Sequence, residues 1–265
     1  MPCFFTELPD RAMIRVTGAD RKSFLGGLLT NDVAGLAEGQ VLYAALLTPQ
    51  GRFLHDMLVL DQGETLLLDT EAGRCADLIR RLSLYKLRAD VQFRDETTQW
   101  AVLALWGDCP PVPSALADPR HPDLGWRLYV SRADQVPAGM QRGTFDDYNR
   151  HRIQLAIPDG SRDMTPEKSF IMDFGLDALN GISFTKGCYV GQELTARMKH
   201  RDLTKRRLVS VRVDSPLPVR GTEIFQDGKP VGEILSSCGD LALALVLRDT
   251  PPGPMVMAKG KTVRV

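Results

Sequence analysis

The run K-G-C-Y-V-G-Q-E-L-T-A-R, Lys186 to Arg197, sets one cysteine between two glycines, just ahead of a helix start. A cysteine does chemistry as its thiolate, and a nearby cation or the unpaired N–H groups of a helix N-terminus favour that form. Cys188 has both in sequence. Lys186 precedes it, and Gly191, Gln192 and Glu193 read as a first helical turn, with Arg197 as the i,i+4 partner of Glu193. Gly187 and Gly191 admit close approach of backbone to a ligand or a strand. The plainer alternative is that Cys188 is a small buried hydrophobe, the common role of a free cysteine.

The other candidates are weaker. Cys3, Cys75, Cys109 and Cys238 lie tens of residues apart without a C-x-x-C pair, so no disulfide framework is expected and the five cysteines read as free thiols. Cys75 falls on the apolar stripe of a helix. His55, His121, His151 and His200 show no H-x-x-x-H spacing, so no resident metal is expected. His200 reads as a solvated histidine rather than as a base for Cys188. The basic run Ala196 to Arg207 is either a landing strip for an anionic tail or RNA phosphates, or a solvated helix end. The second is the simpler reading, and no strong nucleic-acid binding is expected.

These residues must be positioned by a chain of 265 residues in which 33 Lys and Arg balance 33 Asp and Glu. No global field draws such a chain to nucleic acid or to an anionic membrane, so a charged partner has to be met locally. The opening M-P-C-F-F-T-E-L-P-D holds no signal-type apolar run and no segment reaches membrane-spanning length, which predicts a soluble cytoplasmic protein without membrane partners.

Strand-like and helix-like segments alternate at first. A strand at Ala12–Gly18 precedes a helix carrying Phe24, Leu25, Leu28 and Leu29 on one stripe. Val41–Leu60 reads as a hairpin around Thr48-Pro49-Gln50-Gly51, and Glu71–Leu84 as an amphipathic helix. The Pro- and Asp-rich segment 108–123 reads as a loop or subdomain link. Thr144 and Asp147 form a capping box that opens a helix over Phe145–Ala156, with Pro158 as its stop. Past Arg201 come short strands with tight turns, the pattern of a small closed or nearly closed β-barrel. The chain therefore divides into an α+β region of two lobes, 1–200, and a C-terminal barrel, 201–265.

Longer motifs add a resemblance. G-I-S-F-T-K-G-C-Y-V-G-Q-E-L-T-A-R-M-K-H-R (181–201) resembles the signature K-G-C-Y-x-G-Q-E of the YgfZ family, bacterial folate-binding proteins that support iron-sulfur enzymes and certain tRNA modifications. F-L-G-G-L-L-T-N-D-V (24–33) is similar to the family's F-L-x-x-x-x-T-N-D-V segment, and 43–59 and 152–169 resemble its hairpin and pre-signature stretches. YgfZ proteins are relatives of the glycine-cleavage T-protein, a tetrahydrofolate-dependent aminomethyltransferase.

The resemblance implies an α+β fold, a three-lobed cloverleaf of T-protein type with folate in a central channel and a small C-terminal β-barrel. His55 and Asp56 fall where the T-protein hairpin has an Asp-Asp pair, Gln154 where an R-L-E segment has glutamate, and Cys188 where the transferases have an acid. The implied function is a tetrahydrofolate-binding accessory factor for assembly or repair of iron-sulfur enzymes, with reduced folate and iron-sulfur client or assembly proteins as partners. Cys188, Lys186 and Asp56 are the implied chemical residues, and Tyr43, Asp56, Gln154, Tyr189, Gln192 and Arg197 the implied folate contacts. A cavity lined by Tyr43, Asp56 and Gln154, with Lys186 and Cys188 at its edge, is expected. The alternatives are a tetrahydrofolate-dependent aminomethyltransferase or demethylase of T-protein type, its chemistry lost or altered if the catalytic acid belongs at position 55 and retained if it belongs at 56, and an interaction module that has lost the ligand.

Overall fold

The computed structural model describes residues 2–131, 139–213, 217–251, 253, 255–257 and 261–264. Its elements begin with β1 (Phe4–Glu7), β2 (Arg11–Thr17), α1 (Arg21–Gly26), β3 (Val41–Leu47), β4 (Phe53–Asp61) and β5 (Leu66–Glu71). Next come α2 (Cys75–Tyr85), β6 (Gln92–Asp95), β7 (Trp100–Trp106), β8 (Leu116–Ala117), β9 (Trp126–Ser131) and β10 (Gln141–Arg142). Three helices follow, α3 (Phe145–Gln154), α4 (Gly160–Asp163) and α5 (Gln192–His200). The chain closes with β11 (Arg206–Val213), β12 (Glu223–Gln226), β13 (Lys229–Cys238), β14 (Leu241–Leu247), β15 (Met255–Met257) and β16 (Lys261–Arg264).

Three sheets form three lobes. One sheet runs β3-β4-β5-β2-β6, a second β10-β1-β7-β9-β8, and β11-β14-β13-β12-β15-β16 close into a barrel. The closure removes exposed strand edges. The ends of two predicted barrel strands, Asp214 and Val265, lie outside the described residues.

The hairpin of β3 and β4 is as expected, with the Gly51 N–H donating to Thr48 O at the turn and φ of +71° at Gly51. Every position of β4 is buried because both faces of its sheet are covered. Leu25, Leu29, Leu78 and Leu82 of the α1 and α2 layer pack on one face, against Leu46, Met57 and Val59. Tyr43, Leu47 and Leu58 on the other face join Ile171, Phe174 and Ile182 in the central core, which also takes in Leu235, Leu243 and Leu245 of the barrel.

Three expectations are corrected. Segment 108–123 does not link lobes; it lies inside the second sheet's lobe, where it supplies β8 and a buried Asp118–Arg120 pair. The lobes are instead interlocked, because β1 pairs with β7 while β2, immediately after it, pairs with β5. Cys3 and Cys109 are joined in a disulfide rather than free. Phe4 lies opposite Trp106 across the β1–β7 ladder, so residues 106 apart in sequence are neighbours at its end. The helix opened by Thr144 stops at Gln154, short of the expected end at Ala156, which has a φ of +53°. No described helix is long and apolar enough to cross a membrane, and no metal-binding cluster occurs among the described residues.

Candidate functional site

The Cys188 loop is fastened to the N-terminal lobe by its neighbours. Thr30 Oγ1 donates to Gly181 O at 2.6 Å and accepts from the Ala45 N–H at 2.8 Å. Asn31 Nδ2 bridges Tyr43 O and Asn180 O, both at 2.8 Å. The Lys186 ammonium donates to Gly26 O at 2.5 Å, Leu29 O at 2.7 Å and Asn31 O at 3.0 Å. The T-N-D and K-G-C motifs are therefore two halves of one fastening, 155 residues apart in sequence at the Asn31–Lys186 bond.

Lys186 thus has its three donors engaged with the carbonyl that ends α1 and two in the segment after it. Burial lowers its pKa to about 8, against the opposing charge of Asp32. Gly191 takes a φ of +84°, and a Cβ there would lie 2.6 Å from Thr48 O, so only glycine seats the loop on the hairpin turn. Gln192 Oε1 accepts from the Tyr189 N–H at 3.0 Å, and burial raises the Tyr189 phenol to about 12. Arg197 is exposed on α5, and among the described residues no ion pair joins it to Glu193. Cys188 itself is exposed, which excludes its reading as a buried hydrophobe.

Strand alternation separates the hairpin residues His55 and Asp56. His55 faces α2, where its Nε2 lies 2.9 Å from Asp77 Oδ2, and burial lowers its pKa to about 4. Asp56 faces the core and accepts from the Tyr43 hydroxyl at 2.9 Å. Burial raises the pKa of Asp56, opposed by the charge of Arg11. Position 56 is thus the interior acid of the hairpin, and His55 belongs to the helix-covered face.

The cavity lies beside this pair rather than around it. It has a volume of about 430 Å³ and is lined by Arg11, Arg120, Arg127, Tyr148, Arg152 and Asp159 among others. Arg11 Nε meets Asp69 Oδ1 at 2.6 Å, and Arg120 grips Asp118 through two nitrogens at 2.9 and 2.7 Å. Arg127 Nε reaches Asp118 at 3.2 Å, while its buried Nη1 has no hydrogen-bond partner. Burial alone would raise Asp159, but Arg152 and Arg11 hold it at about 2.

None of Tyr43, Asp56, Gln154, Lys186, Cys188, Tyr189, Gln192 or Arg197 lines this cavity. Gln154 is exposed at the last residue of α3, and the same helix turns Tyr148 and Arg152, one turn apart, inward instead. Tyr43 and Asp56 sit behind the wall: the Arg120 guanidinium stands 5.6 Å from the centre of the Tyr43 ring. Arg120 lies in the segment read as a link, and Arg127 at an inward strand position between apolar residues, the one sequence cue that an interior cation was present.

A cloverleaf of two interlocked α+β lobes and a closed barrel, with a polar cavity lined from the two lobes and α3, defines a T-protein-like class. Residues 7–115 match the GCVT N-terminal domain family and 205–265 the CAF17 C-terminal beta-barrel domain. The crystal structure of glycine cleavage system aminomethyltransferase T from Bartonella henselae superposes with a TM-score of 0.73, covering 99% of this chain and 84% of that one at 15% identity, a likeness of fold. The mouse and human mitochondrial iron-sulfur cluster assembly factors IBA57 are each 34% identical over 96% of this chain and 79% of their own length. The mitochondrial IBA57 homologue of Mycosarcoma maydis is 32% identical over 77% of this chain. The chain belongs to the IBA57 family of iron-sulfur cluster assembly factors.

Proposed function

We propose that this chain is an accessory factor in iron-sulfur protein assembly or repair, cluster-dependent tRNA-modifying enzymes among its clients, and that Cys188 is its working residue. The observation that carries the reading is an exposed thiol on a loop whose flanking residues are tied to the protein body. Such a thiol is presented outward in a defined place. Iron-sulfur clusters take about four protein ligands, so Cys188 supplies one while a partner supplies the rest. The cluster is cargo here, and the thiol gives up its proton as it takes the metal.

The cavity supports a reduced folate, tetrahydrofolate or a relative, as the bound cofactor. Its volume of about 430 Å³ falls within the usual range for small-molecule sites, roughly 300–1,000 Å³. Arg127 Nη1, which makes no hydrogen bond and stands 3.8 Å from Asp69 Oδ2, is suited to a carbonyl or carboxylate oxygen, and Phe145 and Tyr148 supply aromatic surface. Arg127, Arg120, Tyr148 and Arg152 would hold the ligand, rather than Gln154 or Arg197. A bound reduced folate supplies a one-carbon or reducing group.

The test has two arms. Anaerobic mixing with a cluster-loaded carrier protein, followed by visible circular dichroism, should show a new cluster environment that Cys188→Ser abolishes; an unchanged response in the variant would end the reading. Titration with tetrahydrofolate should show modest binding, weakened by Arg127→Met, with negligible glycine-dependent methylene-folate formation. Robust turnover that survives Cys188→Ala and disappears in Asp56→Asn would establish an aminomethyltransferase instead.

A further inference from the structure

The turn after α2 carries the least explained surface of the chain. Leu84, Tyr85 and Leu87 are 68%, 41% and 91% exposed, three large apolar side chains within four residues. Leu87 has a φ of +42°, a left-handed conformation that leucine rarely adopts. The base is held while the tip protrudes. The Ala89 N–H donates to Lys86 O at 2.7 Å, the Asp90 N–H to Asp20 Oδ2 at 2.8 Å, and Leu82 and Val91 are buried on either side. An outlier backbone that displays an apolar side chain to water points to a use for that side chain.

Within the turn itself the charge is of one sign, with Asp77, Asp20 and Asp90 standing at its base. From Leu78 to Ala89 there is no acid, while Arg80, Arg81, Lys86 and Arg88 fall in that stretch. Arg80 and Arg81 pair with Asp77, but Lys86 and Arg88 take part in no ion pair among the described residues. The patch is thus a convex apolar knob with cations at its rim.

The geometry points to a peripheral docking site for an anionic lipid surface, in which Leu84, Tyr85 and Leu87 enter the interfacial zone and Lys86 and Arg88 meet lipid phosphates. Exposed apolar side chains beside Lys and Arg are the combination that binds such surfaces, each cation adding its own attraction. A stable protein interface buries about 800 Å² on each partner, more than a three-residue tip offers, and needs a matching cleft. A bilayer accepts a knob without one. The balanced net charge of the chain makes the attraction local to this loop, and no helix needs to cross the membrane.

The test uses the full chain with vesicles of phosphatidylcholine alone or with about 30% phosphatidylglycerol. Co-sedimentation with the anionic vesicles is expected, with affinity roughly tenfold or more weaker in about 0.5 M salt and on neutral vesicles. Leu84→Ser with Leu87→Ser, and Lys86→Glu with Arg88→Glu, should each abolish it with unchanged thermal melting. As a reporter free of folding effects, the Tyr85→Trp variant should shift its emission to the blue on anionic vesicles only. Absence of sedimentation, equal binding to neutral vesicles, an unshifted emission of the Tyr85→Trp variant, or a dimer through this loop in place of vesicle binding would overturn the proposal.

Discussion

Cys188 and Cys75 are both unpaired thiols, and their surroundings separate them. Cys75 is buried under α2, where burial and Asp95 raise its pKa to about 12. Iodoacetamide near neutral pH should therefore label Cys188 quickly and Cys75 only after unfolding, as read by peptide mapping; equal rates would contradict the exposure argument. His55 makes a pH prediction. Its pKa is about 4 in the folded chain and 6.5 in the unfolded one, so between these values only the unfolded chain holds the proton. Stability is then full above pH 6.5 and falls as pH drops toward 4. At about pH 5 the loss is about 2 kcal/mol relative to neutral pH, measurable by urea unfolding and largely absent in His55→Gln. His151, also lowered by burial, leaves a smaller residual slope of the same sign.

Within the signature loop the two glycines are unequal. Gly191→Ala places a Cβ against Thr48 O at a φ of +84°, and should cost about 2 kcal/mol or more. Gly187 is exposed with no atom within 4 Å of a Cβ, so Gly187→Ala should stay within about 0.5 kcal/mol. Urea midpoints of the pair decide this. Lys186→Met removes the donors to Gly26, Leu29 and Asn31 and should cost about 2–3 kcal/mol. Hydrogen exchange at the Ser183 N–H, which donates to Thr30 O at 3.0 Å, should rise in that variant. Unchanged exchange would mean that other contacts hold the loop.

Across the whole molecule, Arg152 ties α3 to both its neighbours. Its Nη1 meets Asp163 Oδ2 at 2.8 Å and its Nη2 meets Ser236 Oγ of the barrel at 3.0 Å. Arg152→Met leaves the buried Asp163 carboxylate with the Asp159 N–H but without its cation and should cost about 3–5 kcal/mol, whereas Ser236→Ala should cost about 1 kcal/mol. A small effect of Arg152→Met in thermal or urea unfolding would show that the apolar contacts of Leu235 and Leu243 join barrel to body unaided.

Sequence alone determined the parts that depend on local periodicity and turn chemistry. The β3–β4 hairpin, the α2 stripe, the Thr144–Asp147 capping box and the barrel's short strands all follow from residues within one or two turns of each other. It also singled out Cys188, because the glycines and lysine around it are close in the chain. Tertiary structure decided what those neighbours do. Lys186 meets three carbonyls distant in sequence, those of Gly26, Leu29 and Asn31, because the loop folds against the segment that follows α1 and a half-buried ammonium has three donors to satisfy. Which of His55 and Asp56 faces the core, and which arginines line the cavity, depended on how sheets and helices stack, as did the meeting of Cys3 with Cys109. Those relations join residues far apart in sequence, and no short-range pattern of residue types encodes them.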